Sequence, residues 1–69
     1  MNREELEVYC DEVNRLFYEM YEPHRYERVC GYSTEDGKQI VVFQQRQHRR
    51  QVHVYKNEKG VLMPYFPPH

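Results

Sequence analysis

A chain of 69 residues, 39% hydrophobic and 30% charged, with a mean hydropathy of −1.04, reads as one small domain over residues 1–69 with little apolar material to bury. Its longest strictly apolar run, residues 40–43, is far too short to span a membrane, and two cysteines are too few to staple a secreted domain of this size. The net charge of −1 conceals a division: residues 1–22 carry seven carboxylates against Arg3 and Arg15, a balance of −5, while the remainder stands at +4. Such polarity speaks of partners and steering rather than of fold.

At 100° per residue, Leu6, Tyr9, Cys10, Val13, Leu16, Phe17, Met20 and Tyr21 share one stripe, which predicts an amphipathic helix over 3–21. Asn2 followed by Glu5 matches a capping box, and the early acids suit the positive end of the helix dipole. Glu22-Pro23 ends the helix, because a residue before proline is pushed out of the α region. Residues 25–31 form a polar strand, and 33–38 a turn in which Asp36-Gly37 supplies the positive φ of a tight hairpin. Residues 38–45, with the apolar run, are a central strand. Residues 51–56 alternate, with Val52 and Val54 on one face and Gln51, His53 and Tyr55 on the other. Asn57-Glu58-Lys59-Gly60 marks a second turn before Val61-Leu62-Met63, and Pro64 implies an edge or a strand end. Pro67-Pro68-His69 cannot continue a ladder and reads as a loose tail. The expected fold class is α+β: one N-terminal amphipathic helix packed on a three- to four-stranded antiparallel β-meander, with strands within about 25–66.

A single helix covers one face of a sheet, yet Ile40/Val42 and Val41/Phe43 point to opposite faces. The expectation is that Val41 or Phe43 lies on the uncovered side, beside Tyr55 and His53. That mixture of aromatic, His and Gln residues suits an interface, and for so thin a core a homodimer is the form expected.

Two regions are candidates for the working surface. Residues 44–56 hold Arg46, Arg49, Arg50, Lys56, His48 and His53, four glutamines and Tyr55, with no acid. Arg46, Arg49 and Arg50 belong at a hairpin tip, where they suit an acidic protein surface or phosphates. The acidic helix face presents Glu4, Glu7, Asp11, Glu19 and Glu22, with an Asp11–Arg15 pair and with Tyr18 among the acids as an exposed anchor. Seven tyrosines and no tryptophan also suit recognition. Cys10, on the apolar stripe, reads as a small buried hydrophobe. No His or Cys pair has zinc-ligand spacing, so neither a metal nor a cofactor is expected. Ser33 is the only serine and lies in a turn, and no motif pairs a histidine with a carboxylate, so no enzyme is expected.

The reading is a small non-enzymatic binding protein that docks on a protein partner and modulates or inhibits it by occlusion. Tyr18, Asp11 and Glu19, or Arg46, Arg49, Arg50, His53 and Tyr55, would carry the contact. In size and composition alone it is similar to the inhibitors and modulators encoded by phages and other mobile elements. The alternative is a nucleic-acid-binding module using the basic hairpin of residues 46–56. The first residues lack the basic and apolar runs of a signal peptide, and the expected location is cytoplasmic.

Overall fold

The structure is a computed structural model that describes residues 2–67. Helix α1 (Arg3–Met20) starts at Asn2, whose side-chain oxygen accepts from the Glu5 amide at 2.8 Å while its side-chain nitrogen reaches the Glu5 carboxylate at 3.4 Å. The helix closes one residue before the expected boundary. Tyr21 is already extended, and its amide donates to the Phe17 carbonyl at 2.9 Å.

Four strands follow, β1 (Tyr26–Ser33), β2 (Gln39–Gln45), β3 (Gln51–Lys56) and β4 (Leu62–Pro64), paired antiparallel in chain order. The expected α+β meander is thus the observed architecture. Both outer hairpins turn on glycines with positive φ, Gly37 at +90° and Gly60 at +79°, a conformation that costs glycine no Cβ clash. The first strand runs two residues further than expected, and Pro64 closes the last edge strand.

The core forms where α1 lies on the sheet. Val13 and Phe17 pack against Val41, Phe43 and Val54, and the Phe17 and Phe43 rings stack in parallel with centroids 3.8 Å apart. Val41 and Phe43 are therefore beneath the helix, contrary to expectation, and Ile40 and Val42 take the other side. The pairing explains the choice. Val41 stands opposite Val54 and Phe43 opposite Val52, so these two join the valine face of β3, the one suited to the helix stripe. The stripe is buried only at its middle; Leu6, Met20 and Tyr21 stay exposed at its ends.

Two hydroxyls tie the helix to the sheet. Tyr9 Oη donates to the Gln39 carbonyl at 2.8 Å and accepts from the Lys56 amide at 2.9 Å, and Tyr18 Oη donates to the Tyr26 carbonyl at 3.1 Å. A Glu12–Lys56 ion pair adds to the same seam, and the Lys56 hydrogen bond holds the Glu12 carboxyl below its ordinary value.

β1 carries a bulge. Its register against β2 shifts between Arg28 and Cys30, with Val29 the extra residue. Parity along the strand reverses there. Tyr26 packs on Phe17 under the helix, whereas Tyr32, six residues on, faces the opposite side. Among the described residues, no helix is long and apolar enough to cross a membrane. Of the expected tail, Pro68 and His69 lie outside the described residues, and Pro67 stands beyond the last ladder pair.

Candidate interaction surface

Alternation puts Ile40 and Val42 on the face away from α1, yet each is only 1% exposed. Aromatic side chains from β1, from β3 and from the segment after β4 roof them. Tyr32 stands opposite Ile40, and His53 opposite Val42. The Tyr32 hydroxyl and His53 Nδ1 share a hydrogen bond of 2.9 Å, with the rings edge to face at 5.7 Å. Tyr65 joins because its amide donates to the His53 carbonyl at 2.8 Å, which carries the chain past Pro64 beside β3. Its ring then lies 6.4 Å from Tyr32 and 6.5 Å from Tyr55, again edge to face. Partial burial, ahead of the nearby Tyr65 and Cys30, raises the Tyr32 phenol above its ordinary value. Lys38 Nζ lies 5.8 Å from the centre of the Tyr55 ring. The molecule thus has two apolar layers, one sealed by the helix and one by rings whose outer edges meet solvent.

The basic hairpin tip stands at one end of this face. Its turn is closed by the Arg49 amide donating to the Gln45 carbonyl at 2.7 Å, with Arg49 at φ 55. A left-handed φ suits glycine far better than arginine. Arg46 is held by Glu27 at 3.5 Å, the only carboxylate in any strand, whereas Arg49 and Arg50 have no carboxylate partner among the described residues. His53 and Tyr55 lie inside the roof, and the three arginines stand at the hairpin tip beyond its end.

The helix candidates are placed differently. Tyr18 is half-buried rather than exposed: its ring meets Phe17 and Phe43 edge-on at 5.7 Å, and its hydroxyl is taken by the Tyr26 carbonyl. The stripe is wider than a narrow 100° reading allows, so position 18 turns inward. Asp11 is exposed and has no ion-pair partner among the described residues; Arg15 reaches Glu19 instead, at 3.2 Å. Glu19 is thereby partly neutralised. The acidic face remains, without its aromatic anchor.

Tyr32 and Tyr65 were not candidates from sequence. Two-residue alternation places Tyr32 with Tyr26, and only the bulge separates them. Tyr65 follows a proline that reads as a strand end. Cys10 is half-buried and Cys30 exposed, and both are free thiols. Among the described residues, no three metal-ligating side chains converge. A cleft of about 620 Å³ lies between the two glycine turns and is lined by Tyr9, Tyr55, Lys38 and Lys59 among others. Lys38 there is neutralised by Asp36 at 2.5 Å. No protein-family profile matches the chain, and neither a curated protein nor a solved structure is significantly similar to it.

Proposed function

We propose that this chain is a non-enzymatic binding protein that docks on a protein partner through the ring-roofed face of its sheet. The observation that carries the reading is the meeting of Tyr32, His53, Tyr55 and Tyr65 on one face with the unpaired Arg49 and Arg50 at its end. Rigid tyrosines offer large contact area at small entropic cost, and free arginines at a rim steer an acidic partner and select it. An arginine held at a left-handed turn position, where glycine is less strained, supports a role for Arg49 beyond the turn itself. The partner surface is acidic, with an apolar centre, and the mechanism is occlusion of that surface. The protein acts in the cytoplasm as a homodimer, in the manner of the small inhibitors and modulators of phages and mobile elements.

Nucleic acid is the second reading, favoured by the same two arginines and by the helix acids lying on the opposite side of the sheet from the rings. The edge-to-face packing of the rings argues for protein, because bases stack on open ring faces.

Quantitative affinity capture with the wild type and with an Arg49→Glu/Arg50→Glu variant tests the proposal. Both positions are exposed, so the variant keeps its fold. A specific protein retained by the wild type and weakened roughly tenfold or more by the charge reversal supports it. Unchanged affinity in the variant refutes it. Salt-sensitive binding of labelled oligonucleotides, lost when Arg46, Arg49 and Arg50 become alanine, assigns the surface to nucleic acid instead.

A further inference from the structure

We infer that the C-terminal end of α1 and the β4 edge form the contact between two copies of this chain, with Phe66 of each copy seated in a cavity of the other. The inference rests on the homodimer reading and locates its interface away from the docking face.

Three observations converge. First, the accessible surface is 5513 Å². A compact monomer of this mass exposes about 4,700 Å². The chain therefore leaves about 800 Å² more uncovered than its mass requires, surface that a contact between copies can cover. Second, the molecule holds a cavity of about 150 Å³ lined by Phe17, Met20, Tyr21, Val52, Leu62 and Pro64 together with Val54 and Met63, with no charged side chain among them. An apolar hole of that size accepts a phenyl ring. Third, Phe66 is 83% exposed, the most exposed large apolar side chain among the described residues, with Met20 next at 66%. Continuing the β3–β4 register past the Tyr65–His53 bond brings Phe66 level with Val52, beside the cavity mouth but outside it.

A knob and a hole adjacent on one surface are self-complementary under a two-fold axis that passes between them. Each ring enters the other copy's hole, and Met20 and Tyr21 are covered around it. A charge-free centre containing Phe, Met and Tyr has the composition of an interface core. The ring-roofed face stays outside this contact and free to dock.

Sedimentation equilibrium of the wild type, Phe66→Asp and Met20→Lys, over low to high micromolar concentration, tests the inference. Expected are a dimer for the wild type and a dissociation constant raised roughly 30-fold in each variant, with circular dichroism unchanged. Because the chain has no tryptophan, Phe66→Trp adds a single reporter whose emission moves to the blue as concentration rises. Emission that does not change with concentration overturns the proposal, and this arm decides if Phe66→Asp loses its fold. A dimer that survives Phe66→Asp overturns the interface while leaving the homodimer in place. A wild type monomeric at every concentration overturns both and leaves the patch to a different protein.

Discussion

Asp36 is the most strongly perturbed carboxylate in the structure. Hydrogen bonds from the Lys38 ammonium and the Thr34 hydroxyl lower its pKa from 3.8 to about 2. A folded-state value below the unfolded one means the ionised group stabilises the fold wherever it is charged in both states. That contribution is complete above about pH 4 and disappears as pH falls toward 2. Asp36→Asn should therefore be less stable than the wild type at neutral pH, with the gap closing between about pH 4 and 2 in thermal melts. A gap independent of pH would assign the effect to turn geometry alone. Single positions were unevenly legible in sequence. Asn2, Glu5 and Gly37 act through their nearest neighbours, and local pattern sufficed to place them. Tyr18 was misplaced because its surroundings are set by Phe43 and Tyr26, residues that the fold brings to it.

Among the elements, α1 and β3 were the most legible, because each has a strong period and a definite stop. The helix is held to the sheet by Tyr9 as much as by its apolar stripe, since one hydroxyl serves a β2 carbonyl and a β3 amide together. Tyr9→Phe keeps the ring and removes both bonds. At about 0.5–1.5 kcal/mol for each net hydrogen bond, urea denaturation should find a loss of about 1–3 kcal/mol with an unchanged m-value. No loss would mean that water replaces the hydroxyl at this seam. β1 was the least legible element. Its bulge reverses the facing of everything after Val29, and that reversal is decided by pairing with β2 rather than by any residue in β1. Tyr32 entered the candidate surface by this route alone.

At the scale of the whole molecule, β2 is the one strand buried from both sides, with four consecutive side chains at 1% exposure or less. Its apolar run announced a central strand, although which pair would face the helix depended on Val52 and Val54 across the ladder. Hydrogen exchange should find the amides of residues 40–43 the last to exchange, near the global unfolding limit, with those of β4 fraying well before them. Comparable protection in β4 would mean that the two layers do not share one centre. The fold was thus largely readable, but the candidate surface only by half: His53 and Tyr55 follow the alternation of β3, whereas Tyr32 and Tyr65 come from β1 and from beyond β4, the two places where periodicity breaks.

Those same two breaks have a consequence for how the molecule lives among its own copies. Another strand laid along β1 would have to match an extra residue at Val29, and one laid along β4 would meet Pro64 after two residues. The sheet is finished at both margins, like a tile with bevelled sides. Strand-to-strand addition is thus discouraged at both edges, and whatever the sheet joins must be met by side chains rather than by backbone.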